Sequence, residues 1–238
     1  MRLIIVAGPP SAGKTTLTRQ IINGLQNKSK NKNKVSYLKI DVVRAFEDEE
    51  LKKEFGIPTK KIYSGDLCPD HAGIMVLRDA VVWAEENESD LLIVESAGLC
   101  MRCSPYTTQG LGIVVLSAIS GTNTPLKMGP MITLADLAVV TKIDLISQAE
   151  REVFREKIKE VNGNIDIIET NTLQGTGMRY LMRIVDSLSD IDKEKMMLKG
   201  EPPLGVCTIC IGKKDIGWQN HFGVIRRLKD ADYLYRGD

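Results

Sequence analysis

An apolar run that breaks into a glycine-bounded loop constrains this chain more than anything else in it. Leu3 to Thr16 reads LIIVAGPPSAGKTT, and Gly8 to Thr15 within it has the GxxxxGKT spacing of a phosphate-binding loop. In such a loop successive backbone N–H groups point into one concavity, which Gly8, Pro9, Pro10, Ser11, Ala12 and Gly13 are expected to form. Glycine is needed at both ends, where a side chain would block the β- and γ-phosphates or demand a forbidden backbone conformation. Lys14 is expected to reach the β/γ oxygens and the Thr15 hydroxyl to ligand Mg²⁺, while Thr16 continues the helix whose N-terminal dipole favours the same anion. The alternative is an ordinary glycine turn. Four fixed positions set between a strand-like and a helix-like segment speak against it.

Composition permits this reading and adds little. At 238 residues the chain can hold one large α/β domain with a small appendage and bury a sizeable core. Lysine and arginine number 32 against 31 acidic residues, so no net field recruits nucleic acid or an anionic membrane. No apolar run approaches the roughly 20 residues of a membrane span, and the first apolar stretch enters the phosphate loop without a cleavage site. The expected location is the cytoplasm, where five cysteines point to metal or redox chemistry more than to disulfides.

Short apolar runs alternate with helical patterns along the chain. Residues 3–7, 35–40, 91–94, 113–118, 137–140 and 165–168 are strand-like and too short for typical helices. Leu17, Ile21 and Leu25 share a helical face, as do Ile74, Leu77 and Val81, then Val153, Ile158 and Val161, then Met178, Leu181 and Val185. Ser147 with Glu150 makes a capping box for the third of these. The alternation predicts an α/β chain with a three-layer P-loop NTPase fold, its mostly parallel sheet binding ligands at the strands' carboxyl ends. The polar tract NKSKNKNK, 27–34, reads as a solvated turn. A nucleotide-binding domain over 1–190 is expected, followed by a short Cys-containing extension over 191–238. That extension is too small to fold by apolar burial alone, so it packs on the main domain or is stapled by a metal.

Base recognition is assigned to TKID, Thr141 to Asp144, at the end of the 137–140 strand. An aspartate there accepts two hydrogen bonds, from guanine N1–H and the exocyclic amine, a pattern adenine cannot supply. The alternative is a helix N-cap. Thr141 stands where the commoner NKxD motif has Asn, and targeting GTPases resembling the signal-recognition family also carry TKxD. Thr141, Lys142 and Asp144 are therefore the expected base-side residues, with Asn171 and Leu173 from the run NTLQGTGM supplying the last loop.

Taken in order, GPPSAGKTTL, CPDH at 68–71, ESAG at 95–98, PLKMGPMITLADLAVVTKIDL at 125–145 and NTLQGTGM at 171–178 resemble the nickel-chaperone GTPases that mature urease and hydrogenase. The resemblance covers about residues 1–190. It implies a GTPase, slow without a partner, that couples nucleotide state to delivery of a metal or metallocofactor to a client metalloenzyme or its accessory proteins. It also implies a nucleotide-dependent homodimer. By that similarity Asp41 is the switch aspartate near Mg²⁺ and Glu95 the Walker B acid, so Lys14, Asp41 and Glu95 are the expected catalytic set, and Thr15, Asp41 and Glu95 the expected Mg²⁺ ligands. A surface aspartate and a strand-end helix cap are the alternatives for Asp41 and Glu95. The chain departs from the urease chaperone's CPH, because Asp70 separates Cys68-Pro69 from His71.

The five cysteines fall into three clusters: Cys68 with His71, Cys100 with Cys103, and Cys207 with Cys210. Thiolate and imidazole bind Ni²⁺, Zn²⁺, Cu⁺ or an iron–sulfur cluster, and CxxC lets two sulfurs grip one ion. Cys68 with His71 suits nickel or zinc, completed by a second subunit. The two CxxC pairs suit zinc or an iron–sulfur cluster. The Cys100 pair resembles the Cys-rich motif of cobalamin-synthesis-type relatives. The alternatives are an iron–sulfur scaffold NTPase, which usually carries a lysine where Pro9 stands, a small-molecule kinase, which needs neither TKID nor cysteine clusters, and a redox or structural protein that merely binds a cluster.

Overall fold

The computed structural model describes residues 1–28, 34–42, 46–64, 68–98, 104–200, 214–216 and 233–234. The strands are β1 (Arg2–Ala7), β2 (Val35–Asp41), β3 (Thr59–Tyr63), β4 (Leu91–Ser96), β5 (Leu111–Ser117), β6 (Leu137–Thr141), β7 (Asp166–Glu169) and β8 (Tyr233–Leu234). The helices are α1 (Lys14–Lys28), α2 (Glu47–Phe55), α3 (Pro69–Glu86), α4 (Thr124–Lys127), α5 (Gly129–Thr133), α6 (Gln148–Val161) and α7 (Met178–Asp186). The strands lie in the order β7-β6-β5-β1-β4-β2-β3-β8, and every pair is parallel. The expected three-layer α/β fold is present.

A parallel strand covered on both faces alternates its side chains between two apolar layers. Leu3, Ile5 and Ala7 of β1 enter the layer under α3 and α6, whereas Ile4 and Val6 enter the layer under α1 and α7. On the α1 side, Leu17, Ile21, Ile22 and Leu25 pack with Leu181 and Val185 of α7. The central position of β1, between β4 and β5, sets the phosphate loop in the middle of the sheet's carboxyl edge.

Two elements inside the main sheet have weak sequence signals. Helix α2, EDEELKKEF, buries only Asp48 and Leu51, so it shows no apolar stripe. Strand β3, TKKIY, buries only Ile62. The CPDH turn consequently follows β3. Helix α1 extends through Lys28 and absorbs the start of the polar tract expected to be a turn.

In α6 the capping box forms, with Ser147 N–H donating to Glu150 Oε2 at 2.8 Å and Glu150 N–H to Ser147 Oγ at 3.3 Å. Its buried stripe is Phe154 and Ile158, while Val153, expected on that face, is 47% exposed. The described part of the C-terminal segment packs on the main domain. Met196, Leu198 and Ile216 are buried in the α3/α6 layer, Leu198 N–H donates to Lys214 O at 3.1 Å, and β8 pairs with β3. No described helix is long and apolar enough to cross a membrane.

The α6 assignment predicts opposite responses at neighbouring positions. Phe154→Ala should lower unfolding free energy by about 3–5 kcal/mol through lost burial and a cavity. Val153→Ala should change it by less than about 0.5 kcal/mol. Urea denaturation followed by circular dichroism checks both.

Candidate nucleotide site

The loop between β1 and α1 is held open by close backbone contacts. Gly8 has φ +151°, and a Cβ there would lie 2.2 Å from Val115 O. Ser11 adopts a left-handed φ of 60°, a cost that clusters at functional sites. Lys14, 7% exposed, donates to Gly8 O at 2.8 Å, Pro9 O at 2.9 Å and Ala97 O at 3.4 Å. All three ammonium protons therefore rest on neutral carbonyls, which a phosphate can outbid. Burial lowers the Lys14 pKa, against the upward pull of Glu95.

Beside the loop lies an acid cluster with a lysine at its centre. Glu95 is completely buried and accepts four hydrogen bonds. Its Oε1 takes Thr15 Oγ1 and Lys39 Nζ, each at 2.7 Å, and its Oε2 takes Tyr37 Oη at 3.0 Å and Thr18 Oγ1 at 3.4 Å. A carboxylate offers about four acceptor positions, so this one is saturated. Lys39 Nζ also lies 3.7 Å from Asp41 Oδ2 and 3.8 Å from Glu47 Oε1. Burial opposes charge on Lys39, but Glu95, Glu47 and Asp41 more than reverse this and leave its pKa raised. The Tyr37 hydroxyl, driven far up by burial and then by Glu95, stays neutral and donates.

On the base side two contacts clip TKID to the phosphate loop. Thr141 Oγ1 donates to Ala12 O at 2.6 Å, and Lys142 Nζ to Ser11 O at 2.8 Å, with Lys142 itself left-handed at φ 58°. Asp144 is exposed in the tight turn after β6. Asn171 Oδ1 accepts from Leu173 N at 3.1 Å and Gln174 N at 3.2 Å, which shapes the last loop, and Leu173 is 85% exposed. The cleft encloses about 720 Å³, lined by Pro10, Ser11, Gly13, Lys14, Thr15, Thr16, Asp41, Glu95 and Lys142 from the expected set. Lys39, Val42, Glu47 and Ala97 join them.

Cys68 is the half-buried N-cap of α3, with Pro69 in the first turn, and His71 is 1% exposed. Asp70 is fully buried and accepts from Ser96 Oγ at 2.5 Å; Gly98 N–H in turn donates to Ser96 Oγ at 3.4 Å. Gly98, at φ +63°, presses on the phosphate loop, since a Cβ there would lie 2.2 Å from Gly8 O. Among the described residues no group of three or more His, Cys, Asp or Glu is placed to hold a metal ion. Cys100, Cys103, Cys207 and Cys210 lie outside the described residues.

Sequence reasoning passed over Lys39, Tyr37 and Glu47. The available signal was period two: Val35 and Tyr37 enter the α1-side layer, and Lys39 follows them on that face.

With this geometry in view, the nucleotide-binding domain of CobW/HypB/UreG matches residues 2–169. The chain belongs to this family. It is 43% identical over 239 residues to an uncharacterised protein of Methanocaldococcus jannaschii, covering the whole of both chains. It is 30% identical over 195 residues to the urease accessory protein UreG of Haloquadratum walsbyi, covering 76% of this chain and 92% of that one. The crystal structure of HypB from Helicobacter pylori in complex with nickel superposes with a TM-score of 0.61 at 17% identity, over 81% of this chain and 91% of that one. At that identity the likeness is one of fold. Membership places the chain in a nucleotide-binding family related to metallochaperone GTPases.

The Gly98 contact gives a specific expectation. Gly98→Ala, which drives a methyl into the Gly8 backbone, should weaken binding of a fluorescent guanine nucleotide by more than about tenfold. Gly175→Ala, which meets nothing within 4 Å, should leave it within about threefold despite its φ of +76°.

Proposed function

We propose that this chain is a GTP-hydrolysing metallochaperone that couples nucleotide state to delivery of a metal or metallocofactor to a client metalloenzyme. The observation that carries the reading is the buried Asp70–Ser96 hydrogen bond. It joins the first turn of α3, which bears Cys68 and His71, to the segment that carries Glu95 on one side and Gly98 on the other. His71 is buried, so metal capture there requires the turn to open, and the turn cannot open without disturbing Asp70. Nucleotide occupancy is felt at Ser96 through Gly8 and Gly98. The two events thus share one bistable contact, which is the physical form a coupling takes.

Guanine selectivity rests on Asp144, presented beside the loop by the Thr141 and Lys142 clips. Thr15, Asp41 and Glu95 offer a hydroxyl and two carboxylates, the hard oxygen donors that Mg²⁺ takes, and the ammonium held among them marks a place that favours positive charge. When bound, Mg²⁺ neutralises charge on the β- and γ-phosphates. Lys14 exchanges its carbonyl partners for phosphate oxygens, and Asp41 and Glu47 border the same space. The clients are soluble accessory proteins or enzymes in the cytoplasm, reached by a homodimer that forms with nucleotide.

Calorimetry should show GTP bound far more tightly than ATP, and Asp144→Asn should shift preference to xanthosine triphosphate. Loss of two charge-assisted bonds costs about 3 kcal/mol, over a hundredfold in affinity. Equal affinities in the unaltered protein would remove the guanine assignment.

For the metal, GTP-loaded protein titrated with Ni²⁺ or Zn²⁺ under light scattering should form dimers with about one ion per two chains. Cys68→Ala and His71→Ala should abolish them, and Ser96→Ala should make metal uptake independent of nucleotide. One ion per chain in a persistent monomer would move the site to the CxxC pairs.

A further inference from the structure

Lys39 has so far served only to mark a place in the cleft that favours positive charge. It stands on β2 directly opposite Glu95 on β4 in the parallel register, and both side chains turn to the α1 face. Lys39 is 3% exposed, and its ammonium touches or approaches three carboxylates: Glu95 at 2.7 Å, Asp41 at 3.7 Å and Glu47 at 3.8 Å. Glu95 Oε1 binds both this ammonium and the Thr15 hydroxyl. A buried lysine of purely structural use needs one good acid partner; this one is surrounded by acids and lines the same cavity as Lys14.

We propose that Lys39 is a built-in cation of the phosphate cleft, an alternative to the divalent ion for one and the same acid cluster. Its charge lets Glu95, Asp41 and Glu47 stand together beside the phosphates when no divalent cation is present, and makes nucleotide binding less dependent on one. The argument is electrostatic. Among the residues lining the cleft, Glu95, Asp41 and Glu47 balance Lys14, Lys39 and Lys142, and without Lys39 one negative charge is left uncompensated where phosphates must enter. A divalent ion and Lys39 draw on the same carboxylates and repel one another, so each is worth more when the other is missing. At the effective dielectric of partly buried sites, charges a few ångströms apart alter each other's affinity by more than about tenfold.

This inference rests on reading the cleft as a Mg²⁺–nucleotide site, and the experiment separates the two. Dissociation constants for fluorescent GTP are measured with Mg²⁺ and with EDTA, for the unaltered protein, Lys39→Met, Lys39→Gln and Lys39→Arg. The quantity read is the factor by which Mg²⁺ tightens binding. In both neutral variants it should exceed the unaltered value by at least about tenfold, and in Lys39→Arg it should stay within about threefold. Lys39→Gln keeps a donor for Glu95, so it tests the charge with the fold preserved, as circular dichroism verifies. A factor that rises less than this in folded neutral variants overturns the proposal. Should neither neutral variant fold, the unaltered protein decides: a Mg²⁺ factor below about tenfold supports the built-in cation and a larger one overturns it. If the unaltered protein binds no nucleotide under either condition, the nucleotide reading itself fails.

Discussion

The site is organised around a carboxylate that has left water entirely. A fully buried Glu95 is tolerable only if its acceptor positions are filled, because an uncompensated buried charge costs several kcal/mol. Its four donors come from two elements far from it in sequence, Thr15 and Thr18 on α1 and Tyr37 and Lys39 on β2, so satisfying it fixes α1 across β4 and β2 together. The hydrogen-bonding need of one side chain therefore sets the distance between the phosphate loop and the strand that bears Asp41. Folding of the sheet and assembly of the cleft are the same event.

A second constraint runs through glycine. Gly98 lies so close to the Gly8 backbone, and Gly8 so close to Val115, that neither glycine can carry a Cβ, and Gly98 follows Ser96, the partner of buried Asp70. The phosphate loop, the end of β4 and the start of α3 are thereby packed without intervening side chains. Close-packed interiors transmit small displacements and answer them by discrete rearrangement more than by continuous deformation. This is why the extra Asp70 in CPDH is informative. It moves His71 one position further from Cys68 than in CPH and places a buried acid on Ser96, the residue next to Glu95.

Much of this was legible in the sequence, for reasons that differ by element. The inner strands β1, β4, β5 and β6 are continuous apolar runs because helices cover both faces, and the loops at their carboxyl ends carried motifs whose chemistry fixes their role. Strand β3 and helix α2 were hidden because they lie toward the sheet edge and bury one or two residues each. Val153 was misplaced for Phe154 because a one-residue shift turns a helical stripe by about 100°, and either residue is apolar. Lys39 was invisible for a deeper reason. Its meaning comes from Glu95, 56 positions away, and the pairing exists only because β4 is inserted between β1 and β2. Strand order in a parallel sheet is not written in local pattern.

The same edge that concealed α2 explains how it can respond to the cleft. Leu51 is its buried apolar residue and Phe55 packs against the α1-side layer; many of its remaining ties are ionic. Glu47 faces Lys39, while Asp48 and Glu49 face Lys61 of β3 at 3.7 Å and 2.8 Å. The Glu49 hydrogen bond raises the Lys61 pKa, whereas burial raises that of Asp48 against the pull of Lys61. Partly exposed ion pairs contribute about 0–1 kcal/mol each, far less than a packed apolar face. An element fastened in this way sits at the low end of local stability, and its orientation follows the charges beneath it. Because Glu47 shares Lys39 with Glu95 and Asp41, any change in cation or phosphate charge in the cleft alters the force on the first turn of α2.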